Sequence, residues 1–80
     1  MNIKILGSGC NKCVALAENA AAAVQAEGID AEIEKVTDII AIASYGIMST
    51  PGLVIDERVV SSGRILNASE IGPLLRGETA

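Results

Sequence analysis

The sequence predicts a single α/β domain, with a mixed four-stranded sheet at the centre and helices on both of its faces. Short apolar runs alternate with segments of helical periodicity in the order βαβαββα. Helical crossovers join parallel strands, so the first strands should run in one direction. The last two strands are separated only by Asp56-Glu57, which predicts an antiparallel hairpin. We assign residues 1–80 to this domain and expect residues 77–80 to fray.

The first half of the chain predicts strands at residues 3–6 and 31–36, with a long helix over residues 11–27 between them. The helix has apolar residues at helical spacing on one face and a run of alanines, which have high helix propensity. Gly28 and Ile29 predict its C-terminal cap, with the glycine in the left-handed conformation. The second strand alternates apolar residues with glutamates, so one of its faces should be in water.

The second half predicts a short helix at residues 39–45, strands at 53–55 and 58–62, and a final helix. Thr37 or Asp38 should cap the short helix. Asn67 has the spacing of a capping box at the start of the last helix. Gly72-Pro73 follows within the same segment, and a proline there removes a donor and clashes with the preceding turn. We therefore expect a late start or a kink in that helix.

Composition and charge exclude several classes of function. Half of the residues are apolar, and Tyr45 is the only aromatic residue, so the core must be built from aliphatic side chains. The net charge is −4 without a run of Lys or Arg, which argues against nucleic acid or an anionic membrane as a partner. The chain has no histidine, which excludes Cys-His catalysis, Ser-His-Asp triads and histidine metal ligands. No segment resembles a signal peptide or reaches transmembrane length, and we expect a cytoplasmic protein.

The two cysteines, Cys10 and Cys13, form a C-x-x-C motif between the first strand and the first helix. The exposed N–H groups and the positive dipole end of a helix favour a thiolate there. Residues three apart on a helix are neighbours, so one sulfur can attack a disulfide and the second can resolve the mixed disulfide. A structural bridge this local would close only a short loop and stabilise little. The motif therefore predicts thiol chemistry, either redox or metal binding.

The element order, the C-x-x-C at the start of the first helix and Thr50-Pro51 before the third strand resemble a minimal thioredoxin fold. More closely, the chain resembles the small, glutaredoxin-sized redox-active disulfide proteins of prokaryotes, over residues 3–75. The resemblance implies a cis peptide bond before Pro51, which would present the backbone of Thr50 to an extended substrate segment. It also implies that Gly63 keeps a side chain out of the site.

The implied activity is that of a protein disulfide oxidoreductase or redox carrier. Cys10 would be the exposed nucleophile and Cys13 the resolving thiol, while Asn11 and Lys12 would tune their reactivity. The implied partners are a protein with a disulfide or dithiol and a separate reductase. We expect a monomer that needs no cofactor and no metal.

Three departures from thioredoxin accompany this resemblance. Asn11-Lys12 stands where thioredoxin has Gly-Pro, and Gly9 replaces the aromatic residue before the first cysteine. The first strand lacks the carboxylate that serves as the buried proton acceptor in thioredoxin, and Lys4 is the only polar residue near that position.

A soft-metal carrier is the alternative function for the same motif. Heavy-metal-associated domains are similar in length and also place C-x-x-C between the first strand and the first helix, where two thiolates suit linear Cu(I). Those domains usually carry Met two residues before the first cysteine, where this chain has Ser8. Their second half runs strand-strand-helix-strand, unlike the order predicted here. A docking module that has kept only the surface of the fold is a third possibility.

Overall fold

The predicted order of helices and strands is confirmed. The computed structural model describes residues 1–7, 11–47 and 49–77. Seven elements lie within them: β1 (Asn2–Leu6), α1 (Asn11–Glu27), β2 (Glu32–Val36), α2 (Ile39–Ser44), β3 (Gly52–Ile55), β4 (Arg58–Ser62) and α3 (Ala68–Leu75). The predicted boundaries are met to within one residue at every helix and strand that precedes α3.

The four strands form one mixed sheet in the order β2-β1-β3-β4. β1 is parallel to β2 and antiparallel to β3, and β3 forms the predicted antiparallel hairpin with β4. Ile5, the fourth of the five residues of β1, lies opposite Lys35 on one side and Leu53 on the other. This register decides which side chains of β2 lie beside the start of α1.

Successive residues of β1 alternate between the two faces of the sheet, and each face has its own core. Ile3 and Ile5 belong to the larger core, under α1 and α3, whereas Leu6 belongs to a smaller core with Ile42 of α2 and Val54. The buried face of α1 is formed largely by alanines, whose small side chains let the helix approach the sheet closely. The remaining members of the larger core are Leu16, Ala17, Ala20, Ala23, Leu53, Ile55, Leu66, Ile71 and Leu75.

The helix ends follow the predicted capping signals. Gly28 has a φ of +65°, and the N–H of Ile29 donates to the carbonyl of Val24 at 3.2 Å, which closes α1 with a left-handed cap. At the start of α2, the Asp38 carboxylate accepts from the N–H of Ile40 at 3.1 Å.

Of the late start or kink expected at Gly72-Pro73, the late start does not occur. The helix begins at Ala68, directly after a complete capping box between Asn67 and Glu70, and continues through Pro73. Ile71 and Leu75 are buried in the larger core, and burial of each side chain contributes about 1.5–3 kcal/mol. These contributions together with the cap outweigh the cost of about 3 kcal/mol for a proline inside a helix.

Candidate functional site

The candidate site lies at the end of the sheet where β1 ends and α1 begins. Cys13 is the third residue of α1, and it is buried with 5% of its surface exposed. The two residues before it, Asn11 and Lys12, are exposed at the first turn of the helix. Cys10, the predicted nucleophile, lies outside the described residues. The structure therefore locates three residues of the predicted site, Asn11, Lys12 and Cys13.

Gly7 brings β1 into direct contact with the Cys13 side chain. It is buried, and its N–H donates to the carbonyl of Val36 at 2.9 Å. A methyl group built on Gly7 would overlap Cys13 Sγ, would lie 3.3 Å from Cys13 Cβ and would reach Thr50 Cβ at 3.9 Å. Sequence analysis did not select Gly7, although a glycine at the end of a strand often marks a close approach to its backbone. The backbone of Gly7 therefore borders the Cys13 side chain on the side of the sheet.

The segment before β3 brings together the residues that were predicted to bind substrate. The Thr50–Pro51 peptide bond is cis, Pro51 is fully buried and Thr50 is exposed. The N–H of Gly63 donates to the carbonyl of Pro51 at 2.8 Å. Gly63 has a φ of +71°, and a methyl group there would lie 2.9 Å from Ser49 Cβ. A glycine is therefore needed for both its backbone conformation and its close approach to the 49–51 segment.

A cavity of about 40 Å³ lies beside the Cys13 side chain. It has room for a small number of water molecules at most. Apart from Cys13, its walls are mostly apolar, and they include part of the Lys35 side chain on β2. The lining residues are Ile5, Gly7, Cys13, Val14, Lys35 and Thr37. Sequence analysis did not select Lys35, because its position beside Cys13 depends on the register of β1 and β2.

Lys4 lies on the opposite face of the sheet and contacts α2 and the β3–β4 turn. Its ammonium group donates to Glu57 Oε1 at 2.6 Å and to the Tyr45 hydroxyl at 2.9 Å. The Tyr45 hydroxyl in turn donates to Glu57 Oε2 at 3.1 Å, and Lys4 Nζ is 5.6 Å from the centre of the tyrosine ring. Lys4 is thus near Cys13 in the sequence but not in the site.

These hydrogen bonds change the ionisation of both charged groups. The bond from Lys4, followed by that from Tyr45, lowers the pKa of Glu57 below its ordinary value of 4.5. The bonds to Glu57 and then to Tyr45 raise the pKa of Lys4 above its ordinary value of 10.5. The stabilisation from Glu57 is therefore present above pH 4.5 and is lost as the pH falls through its lowered pKa. The stabilisation from Lys4 is present below pH 10.5 and is lost as the pH rises through its raised pKa.

We expect Glu57→Gln to lower the free energy of unfolding at pH 7, with the difference from the natural chain shrinking towards pH 3. Urea unfolding followed by circular dichroism at a series of pH values measures this difference. In a Lys4→Met background, the same substitution should give a difference that is small at every pH. A difference that stays constant between pH 7 and pH 3 in the natural background would show that Glu57 ionisation is not coupled to folding.

Comparison with known proteins assigns the family. A sequence model described as the thioredoxin domain matches residues 1–76. The chain belongs to the thioredoxin family. The thioredoxin-like α/β fold that the resemblance implied is therefore confirmed both by the architecture and by the family match.

Two archaeal relatives carry the name thioredoxin. One, from Methanothermobacter thermautotrophicus, is 40% identical over 75 residues, which are 94% of this chain and 97% of the relative. The other, from Methanocaldococcus jannaschii, is 46% identical over 69 residues, which are 86% of this chain and 79% of the relative. The similarity thus extends over nearly the whole of this thioredoxin-family chain.

Family membership supports a role in thiol–disulfide oxidoreduction for this chain. The described part of the structure contains no helix that is both long and apolar enough to cross a membrane.

Proposed function

We propose that this thioredoxin-family chain exchanges a Cys10–Cys13 dithiol with disulfides in partner proteins. The observation that carries the proposal is the position of Cys13. Its side chain is buried at the start of α1 and is held against Gly7 at the end of β1. A buried sulfur beside an exposed helix terminus is poorly placed to meet a partner protein directly, but it is well placed to react with a neighbouring sulfur.

The proposed reaction has two steps. The Cys10 thiolate attacks one sulfur of the partner's disulfide, which forms a mixed disulfide and releases the other partner sulfur as a thiolate. The Cys13 thiolate then attacks Cys10 Sγ, which forms the Cys10–Cys13 disulfide and releases the second partner sulfur. The partner disulfide gains two electrons, and the protons of the two cysteine thiols are taken up by the two partner thiolates. A separate dithiol reductase restores the starting state.

The 49–51 segment would bind the backbone that flanks the partner's disulfide. Thr50 is exposed, while Pro51 beneath it is fully buried and its carbonyl is held by the N–H of Gly63. An extended peptide could add to this fixed segment as a further strand. A side chain on Gly63 would collide with Ser49 and push the 49–51 segment away. The glycine therefore allows this segment to keep its position. Asn11 and Lys12, exposed on the first turn of α1, would tune the thiols and contact the partner.

A redox titration tests the proposal. The purified chain is equilibrated with defined thiol–disulfide buffers, free thiols are alkylated, and the alkyl groups are counted by mass. We expect a reversible transition in which both thiols disappear together, at a potential within the range of cellular dithiol couples. Cys10→Ser and Cys13→Ser should each abolish this transition. A chain that does not oxidise reversibly would overturn the proposal.

Trapping with a disulfide-containing protein tests the separate roles of the cysteines. In Cys13→Ala the mixed disulfide cannot be resolved, so a covalent complex through Cys10 should accumulate. Cys10→Ala should accumulate little, because Cys13 is buried. Equal trapping by both variants would show that the roles are assigned wrongly.

The soft-metal carrier remains the alternative function. After α1 the observed order of elements is strand-helix-strand-strand-helix. Heavy-metal-associated domains have the order strand-strand-helix-strand in this part of the chain. Together with the family match, the observed order favours redox chemistry. Isolation of the chain with a stoichiometric soft metal on its sulfurs would instead support the carrier. The cytoplasmic location, the monomeric state and the identity of the partners remain predictions.

A further inference from the structure

We infer that the side-chain amide of Asn19 positions the 49–51 segment for partner proteins, by holding the chain between β4 and α3 against α1. Asn19 is thus a positioning residue, in a role that rests on the proposed function because it concerns how partner proteins are bound. The physical effect, the order of the backbone around Gly63, can be measured without any redox reaction. Three observations support this role: the hydrogen bond of Asn19, the burial of Leu66 and the contacts of Gly63 with the 49–51 segment.

Asn19 links α1 to the irregular segment that follows β4. It is half-buried and lies six residues after Cys13, which is about 9 Å along the helix axis. Its amide nitrogen donates to the carbonyl of Leu66 at 2.9 Å. Asparagine is a poorer helix former than alanine, and the four residues that follow Asn19 are all alanine. The hydrogen bond to Leu66 offsets this local disadvantage.

The carbonyl of Leu66 depends on this donor because Leu66 is buried. The residue is 5% exposed, and its side chain belongs to the larger core under α1 and α3. A buried carbonyl without a donor is unfavourable, because water does not replace the lost hydrogen bond. Without the amide of Asn19, the backbone at Leu66 would therefore move towards solvent.

The segment from Gly63 to Leu66 is attached to other parts of the structure at both ends. At one end, the N–H of Gly63 donates to the carbonyl of Pro51 at 2.8 Å, and Gly63 lies in close contact with the 49–51 segment. At the other end, Leu66 is held by Asn19. The two residues between these ends are exposed. A shift at Leu66 would therefore be passed to Gly63 and from there to the 49–51 segment.

This arrangement predicts a difference between two kinds of disulfide substrate. A partner protein that adds its backbone to the 49–51 segment needs this segment in place. A small disulfide without a peptide backbone needs only the thiols, and Asn19 is almost two helical turns from Cys13. Loss of the Asn19 amide should therefore slow the reaction with protein disulfides and leave the reaction with small disulfides unchanged.

Reaction of the reduced chain with an excess of each kind of disulfide tests the inference. Insulin serves as the protein disulfide and 2-hydroxyethyl disulfide as the small one, and the loss of the chain's thiols is followed by alkylation and mass. We expect Asn19→Leu to lower the rate constant with insulin by a factor of about two to ten, which corresponds to the loss of one hydrogen bond. The rate constant with the small disulfide should not change. Asn19→Asp keeps the size of the side chain but cannot donate, so it should behave in the same way.

Hydrogen exchange measures the physical effect independently of the thiols. In both Asn19 variants the N–H of Gly63 should exchange faster, because its hydrogen bond to Pro51 opens more often. The N–H of Gly7, which is bonded to the carbonyl of Val36, is the internal reference and should exchange at its usual rate. If Asn19→Leu is poorly folded in urea unfolding, Asn19→Ala replaces it, because alanine favours the helix.

Glu27→Gln is the matched control, because it weakens a different link between the same parts of the molecule. Glu27, the last residue of α1, forms an ion pair of 2.7 Å with Arg76, which directly follows α3. This control should leave both rate constants and the exchange of Gly63 unchanged.

Equal slowing with both disulfides, or no slowing with either, would overturn the inference, and so would an unchanged exchange rate at Gly63. Selective slowing of the same size in Glu27→Gln would also overturn it, because any loosening of α1 against α3 would then be sufficient. A natural chain that reacts with neither disulfide would instead refute the proposed function, and the exchange of Gly63 would still decide whether Asn19 holds this segment.

Discussion

Replacing Gly7 with alanine should destabilise the protein by about 2–3 kcal/mol and displace the sulfur of Cys13. The added methyl group would overlap Cys13 Sγ and would lie 3.3 Å from Cys13 Cβ, so one of these groups must move. Gly7 is buried and its N–H is bonded to Val36, which limits how far its backbone can shift. Inserting a methyl group into a packed region typically costs about 1–3 kcal/mol. Urea unfolding gives the stability, and the redox titration gives the effect on the site.

A double-mutant cycle identifies the contact that causes the loss. In a Cys13→Ala background the overlapping sulfur is absent, so Gly7→Ala should cost much less than it does alone. Gly28→Ala is the matched control, because a methyl group there meets nothing within 4 Å. Its cost, about 1 kcal/mol from the left-handed backbone, should be the same in both backgrounds. An equal cost for Gly7→Ala in both backgrounds would show that the sulfur does not cause the loss.

Local signals in the sequence were sufficient to predict most of the fold. Caps such as Asn67 with Glu70, the alternation in β2 and the turn at Asp56-Glu57 each depend on residues close together in the chain. Such features are decided by local backbone and side-chain preferences, which a sequence shows directly. The late start considered for α3 does not occur, because burial of Ile71 and Leu75 depends on tertiary packing and outweighs the local penalty of Pro73.

The surroundings of the site could be predicted only in part. The C-x-x-C motif and Thr50-Pro51 are recognisable as sequence patterns, whereas the neighbours of Cys13 are brought together by the sheet register. Lys4 is closer to the motif in sequence, yet it projects to the face of α2, while Lys35 from the next strand lines the cavity beside Cys13. Alternation along a strand predicts that neighbouring residues project to opposite faces of the sheet. Which of the two sets projects to which face depends on strand pairing and on helix packing.

Leu16→Ala should cause the largest loss of stability of any single truncation in α1. The buried face of this helix consists of Cys13, Leu16 and three alanines, so Leu16 supplies its only large aliphatic side chain. It is fully buried in the core shared with Ile71 and Leu53. Burial of a leucine contributes a transfer free energy, and its removal also leaves a cavity, with a total cost of about 3–5 kcal/mol. Alanines cannot change rotamer to fill that cavity, which places the expected cost at about 4 kcal/mol.

A domain of 80 residues is expected to have a total stability of about 4–12 kcal/mol, so this loss would leave a large fraction of the chain unfolded or close to unfolding. Urea unfolding measures the change in the free energy of unfolding. An unaltered slope of this free energy against urea concentration would show that unfolding exposes the same surface area as in the natural chain. Ile40→Ala is the matched control, because it truncates an aliphatic side chain that is 80% exposed and should change stability by less than about 0.5 kcal/mol. If Leu16→Ala cost no more than Ile40→Ala, α1 could not be held on the sheet by this side chain, and the position of Cys13 would have to depend on the contacts of Gly7 instead.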